Sequence, residues 1–166
     1  MLPGFALECY WLDCNVYVQA ENGPYNCRIA PTFWSWLHGK IRDGQVRSPV
    51  SVYRELMQGH DHLSLWIRTM KKDGLFVKPS RSVYTHFTGI ADYVSAHYEQ
   101  HHAAEFLKGA DPWVIAHALD NSGTVVTHEA LVPSGSHRVK IPNICAQFDV
   151  RCLGAYAAFE KLDLRL

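Results

Sequence analysis

Residues 109–129 read GADPWVIAHALDNSGTVVTHE, a loop, a helix, a turn, a strand and a second loop in succession. Asp111 stands where a helix N-cap belongs, and Pro112 suits the first helical position because it lacks the N–H that would go unpaired there. Trp113, Ile115, Ala116 and Leu119 recur at helical spacing until Asn121-Ser122-Gly123 ends the pattern. Thr124-Val125-Val126 is a short β-branched run that predicts a buried strand, and Thr127-His128-Glu129 follows at its carboxyl end. In an open parallel α/β sheet that edge is where ligands bind, so Asp111 and Glu129 can share one site. A helix cap and a solvated loop glutamate would use the same residues, and this stretch alone leaves both readings open.

Working outward, residues 7–12 (LECYWL) form an apolar and aromatic run of strand length that delivers Asp13 at its carboxyl end. Asp13-Cys14-Asn15 then leads into a first helical turn over residues 16–20. Residues 21–31 read as a loop, with Asn22-Gly23-Pro24 as its turn. Phe33, Trp34, Trp36, Leu37 and Ile41 supply the apolar face of the next helix, which Gly44 stops. Residues 45–48 are a candidate strand, and Pro49 opens a helix over 50–57 that contains Arg54 and Glu55. An amphipathic helix over 63–72 and a short apolar run at 75–77 come next, then a longer helical pattern over 82–101 despite Gly89. Beyond Glu129 lie a polar loop, a helix ending at Phe148, a strand over 150–153 and a helix over 155–162.

Strands separated by helical patterns predict a three-layer α/β/α fold, a mainly parallel sheet with helices on both faces joined by right-handed crossovers. The length favours one domain over residues 1–166. Sixteen basic and sixteen acidic residues cancel, so a nucleic-acid contact has to come from a local patch rather than bulk charge. Cys9, Cys14, Cys27, Cys145 and Cys152 are odd in number and never spaced as CxxC, which reads as reduced thiols of a cytoplasmic protein. Of ten histidines, the Gly59-His60-Asp61-His62 and His101-His102 groups read as solvated connectors rather than metal sites, and His117 is assigned no chemistry. No apolar run approaches the roughly 18 residues of a membrane span.

The strand-end Asp13, the helical Glu55, GADPW with Asp111, and VVTHE with Glu129 occur in an order that resembles the PIN domain family of metal-dependent ribonucleases, toxin-type members above all. The resemblance covers residues 7–162, and GADPW-x-IAHAL followed by VVTHE is its specific part. It implies a PIN-like fold in which Asp13, Glu55 and Asp111 match acidic metal-binding positions. Glu129 matches a fourth, where many members carry Asp and the longer side chain admits contact through water. Asn15 and Thr127 match polar positions that orient water or a carboxylate. The implied activity is cleavage of single-stranded RNA with Mg²⁺ or Mn²⁺, as the toxin of a type II toxin–antitoxin pair. The implied partners are RNA, a cognate antitoxin protein and a second copy of the chain.

The residue types suit that chemistry. Mg²⁺ and Mn²⁺ prefer oxygen ligands and keep several waters, so a few carboxylates from separated elements serve better than a His/Cys cage. Clustered carboxylates repel one another, and a bound cation offsets that repulsion while stabilising charge on a phosphate under attack. Arg138 and Lys140, shortly after Glu129, and Arg54 beside Glu55 are the candidates for phosphate contact, or else ordinary surface charges. A haloacid-dehalogenase-type phosphatase would want DxD where Asp13-Cys14-Asn15 stands. A non-catalytic PIN-like protein acting through a partner is the other function class.

Overall fold

The computed structural model describes residues 7–59 and 62–166. Strands β1 (Tyr10–Leu12), β2 (Val46–Pro49), β3 (Phe76–Val77), β4 (Thr124–Thr127) and β5 (Arg151–Gly154) make one all-parallel sheet in the order β3-β2-β1-β4-β5. Helices α1 (Cys14–Asn22) and α2 (Pro31–Arg42) link β1 to β2, and α3 (Val50–Leu56) and α4 (His62–Lys72) link β2 to β3. The chain returns to the middle of the sheet through α5 (Arg81–His97), α6 (Gln100–Lys108) and α7 (Asp111–Asp120), and reaches β5 through α8 (Ile141–Gln147). The last helix is α9 (Ala155–Lys161).

From β1 the chain steps outward through β2 to β3, then reverses and steps outward through β4 to β5. Right-handed crossovers taken in opposite directions put their helices on opposite faces. Accordingly α1, α3 and α4 pack together, and α5, α7 and α8 form the other layer. Phe159 of α9 joins the first layer, its ring centroid 5.3 Å from that of Phe33 in α2. With both faces covered, all four residues of β4 are buried, which is why TVVT is β-branched throughout, its two threonine hydroxyls paired with Glu8 and Asp13.

The structure departs from the predicted elements at four places. The first strand begins at Tyr10 rather than residue 7, because the ladder to β2 and β4 starts there and Glu8 turns to hydrogen-bond the Thr124 hydroxyl at 2.5 Å. Helix α1 continues through Glu21, which was read as loop; its carboxylate folds back to accept the Cys27 N–H at 3.1 Å. The pattern over 82–101 is two helices, since Tyr98 is extended (φ −124°, ψ 154°). Apolar periodicity runs across that break because both helices bury a face against the same core. The run at 75–77 supplies the edge strand β3, too short for periodicity to reveal. In the His60-Asp61-His62 group, His60 and Asp61 lie outside the described residues, and His62 opens α4. Among the described residues no helix is long and apolar enough to cross a membrane.

Gly123 sets the approach of α7 to the sheet. A Cβ there would stand 2.7 Å from both the Cys9 carbonyl oxygen and Asn121 Oδ1, and 2.8 Å from Trp11 Cδ1. The Cys9 carbonyl is backbone at the entry to β1, so it cannot withdraw without moving β1 against β4. Gly123→Ala is expected to destabilise the fold by about 1–3 kcal/mol, the usual cost of overpacking, measurable as a lowered midpoint in urea unfolding.

Candidate functional site

Strands β1 and β4 are neighbours, yet their following connections leave in opposite directions, so a crevice opens at their carboxyl ends. Asp13 and Thr127 sit there. The Asp13 N–H donates to Val126 O at 3.1 Å, extending the ladder, and the side chain turns to cap α1, with Oδ1 accepting from the Asn15 N–H at 2.5 Å. Oδ2 accepts from the Thr127 hydroxyl, whose oxygen accepts in turn from the Glu129 N–H at 3.1 Å. Glu129 is held on both oxygens: Oε1 meets Lys140 Nζ at 3.0 Å and Oε2 accepts from the Ile141 N–H at 2.8 Å.

Asp111 is not the N-cap that its position suggested. Ala110 is the cap residue, in a helical conformation (φ −79°, ψ −22°) without a side-chain cap bond of its own, and Asp111 is the first residue of α7. The reason lies in α3: Glu55 Oε1 reaches across to accept the Ala110 N–H at 2.7 Å. Gly109 leaves room for this, since a Cβ there would stand 3.4 Å from the same oxygen. Relieved of capping, the Asp111 carboxyl has no hydrogen-bond donor on it among the described residues.

The acids converge on Asp111. Asp111 is pushed up from 3.8 to about 7, first by burial and then by the charges of Asp13, Glu129 and Glu55, with Lys140 pulling the other way. Burial pushes Asp13 up from 3.8 to about 6, against the hydrogen bonds from Thr127 and Asn15. Between them, burial and the charges of Glu55 and Asp13 raise the Cys14 thiol to about 12, leaving it protonated and non-nucleophilic at neutral pH. Buried oxygen donors short of positive charge fit a hard divalent cation. Asp111 offers the unengaged carboxylate, and Asp13 and Glu55 each have lone pairs left after their hydrogen bonds. Among the described residues, the three donor atoms lying within 4.8 Å of one another belong instead to Glu99, His101 and His102, around the start of α6. The wider acidic group suits an ion that retains several of its waters.

The other predicted residues are distributed unevenly. Thr127 is buried at the centre and Asn15 is exposed on the first turn of α1, where its backbone N–H serves Asp13. Arg54 is exposed and shares with Cys14, Glu55 and Trp113 the wall of an open cavity of about 660 Å³. Arg138 is exposed, whereas Lys140, expected on phosphate, is half-buried and paired with Glu129. Sequence reasoning missed Ser48 and Tyr17. Ser48 Oγ donates to Leu12 O at 2.7 Å, so the buried Tyr17 hydroxyl, 2.7 Å away, must donate to Ser48. That pair anchors the end of β1 one residue before Asp13, and no motif marks it.

An all-parallel α/β domain with an acidic crevice at its switch point is thus the class that fold and geometry define. The chain belongs to the family described as Domain of unknown function (DUF4411), which matches residues 10–166. A search of curated proteins found no match.

The two raised acids set a pH dependence. Each is harder to ionise folded than unfolded, so their contribution to stability is largest while both are protonated and declines as pH rises from about 4 through about 7. Metal-free Asp111→Asn should therefore exceed the unsubstituted protein in stability at pH 8, by on the order of 1–3 kcal/mol, with the gap closing below about pH 4. Thermal melts across pH in EDTA measure this. Added Mn²⁺ should raise the melting temperature of the unsubstituted protein and leave the variant nearly unmoved.

Proposed function

We propose that this protein is a PIN-like, metal-dependent endoribonuclease that hydrolyses phosphodiester bonds in single-stranded RNA, acting as the toxin of a toxin–antitoxin pair. The observation that supports it most is the half-buried Asp111 beside the buried Asp13 at the sheet's switch point, held in the negative field of Asp13, Glu129 and Glu55. Such an arrangement costs stability unless a cation is bound, and acids kept at that cost belong to a working site.

Asp13, Glu55 and Asp111 would hold Mg²⁺ or Mn²⁺. When bound, the ion supplies Lewis-acid activation of water and neutralises charge developing on the phosphate. The chain's own groups do the positioning. Thr127 fixes the rotamer of Asp13 by donating to one oxygen, and the Asn15 N–H holds the other, so the carboxylate is oriented before any ligand arrives. Glu55 ties α3 to the start of α7 and thereby places Asp111. Glu129, fastened to Lys140 and Ile141, acts as a fixed negative charge and as the anchor of the loop that closes one side of the crevice. The exposed Arg54 and Arg138 are free to meet phosphates, whereas Lys140 balances Glu129.

Purified protein with a mixed single-stranded RNA pool should cleave in Mg²⁺ or Mn²⁺ and not in EDTA. Asp13→Asn and Asp111→Asn should each lower the rate at least about a hundredfold while remaining folded by circular dichroism. Where the RNA target is narrow, expression in a bacterial host reads the same outcome, as growth arrest with the unsubstituted chain and none with Asp13→Asn. Equal arrest by both forms would refute the enzymatic reading and favour action through a bound partner.

A further inference from the structure

Three buried side-chain polar atoms among the described residues have no hydrogen-bond partner: Trp36 Nε1, Ser51 Oγ and His117 Nε2. Two of these three, Ser51 and His117, line a single cavity of about 280 Å³. Unpaired buried polar groups are expensive, and water or the polar edge of a ligand in that cavity would offset the cost. The rest of the wall narrows the choice. Tyr84 and Trp113 contribute aromatic surface, and Tyr84 is 54% exposed although it is a large ring that packing would normally cover. Arg54 and Lys78 stand at the same cavity, both exposed and outside any ion pair among the described residues.

The chemistry of His117 is that of a neutral ring. Burial drops its pKa to about 4, so near pH 7 it has one N–H and one bare nitrogen. It is 3% exposed, and its ring is stacked on Trp11 at a centroid distance of 4.7 Å, which holds it in place. Trp113 is similarly braced by Phe87, at 4.0 Å. Rigid aromatic surface, neutral donors and acceptors, and two cations match the three parts of a nucleotide: the π-face of its base, the polar edge of that base, and its phosphate. The volume lies just below the usual range of small-molecule sites, a size suited to a single base.

Location links this cavity to the acidic crevice. Ser51, Arg54 and Trp113 line both it and the larger cavity that runs to Cys14, Glu55 and Ala110. We infer that the smaller cavity is a nucleobase pocket that receives one unstacked nucleotide of the single-stranded substrate, with the base on Tyr84 and Trp113, its polar edge toward Ser51 and His117, and its phosphate between Arg54 and Lys78. The inference rests on the RNA-cleaving reading above and deepens it, by placing base selection beside the acids rather than among them. A strand held there by one base continues into the larger cavity, whose wall includes Glu55 and Cys14.

The test separates the two readings by working without metal. In EDTA, the four nucleoside 5′-monophosphates and ribose 5-phosphate are titrated into the full chain by calorimetry. At least one mononucleotide should bind roughly tenfold more tightly than ribose 5-phosphate, and Tyr84→Ala and Ser51→Ala should each weaken it by about fivefold or more. Asp13→Asn, expected to cut cleavage, should leave that affinity unchanged. Tyr84 is exposed enough that its loss should not unfold the protein, and a melting curve for each variant verifies this. A protein that cleaves RNA but binds no mononucleotide better than ribose 5-phosphate, or whose preference survives both substitutions, overturns the pocket and leaves the nuclease standing. Base-selective binding without metal-dependent cleavage does the reverse.

Discussion

The hydrogen bond from Thr127 to Asp13 joins the carboxyl ends of two strands more than a hundred residues apart, and the geometry of the crevice depends on it. It forms because β1 and β4 are in register, Leu12 opposite Val126, so that the next residue of each strand meets across the sheet's switch point. Burying a carboxylate there is costly, as the upward shift of Asp13 indicates. The fold accepts that cost and surrounds Asp13 with further acids instead of a counter-charge.

Three of the four acids have a second employment that explains how so much like charge is tolerated. Asp13 accepts an N–H on the first turn of α1, Glu55 accepts one at the start of α7, and Glu129 accepts one at the start of α8. Helix N-termini carry partial positive charge and unpaired N–H groups, so each carboxylate is compensated by a helix end, and Glu129 by Lys140 as well. Asp111 is left over. It belongs to the first turn of α7, but Glu55 has already taken the N–H of the cap residue, and its pKa is driven higher than that of Asp13. The unsatisfied member of the group is therefore the one from which a cation would gain most.

The two helical layers make different contributions. On the side of α1, α3 and α9, aromatic packing among Tyr25, Phe33 and Phe159 is dense, and no buried polar atom in those rings is implicated in the crevice. On the side of α5 and α7, Trp113 is stacked on Phe87 and edge-on to Tyr84, and the same helix presents Asp111 and His117. Helix α7 thus carries an acid at its start and a neutral imidazole two turns later, near two cavities with different chemistry. One is open and lined by acids and bases together; the other is aromatic with unpaired neutral groups.

Much of the fold was legible because its signals are local. A buried parallel strand favours β-branched and apolar residues on both faces, which is why TVVT and the YWL of β1 stand out, and Pro49 and Pro112 mark helix starts by chemistry that acts within one turn. The acids Asp13 and Glu129 stood out for the same reason, lying one and two residues past a strand. What sequence could not show is pairing between distant elements. That Glu55 rather than Asp111 serves the start of α7, that Lys140 is spent on Glu129, and that Ser48 and Tyr17 brace the end of β1 are facts of side chains meeting across the sheet. The break at Tyr98 was hidden because one apolar periodicity serves two helices on the same core. By itself the sequence determined where strands and helices arise and which acids lie at their ends, since periodicity, capping and proline act over a few residues. Only the tertiary structure decided which of those acids are satisfied and which is left short of positive charge, because burial and Coulombic coupling depend on distances that no local pattern encodes.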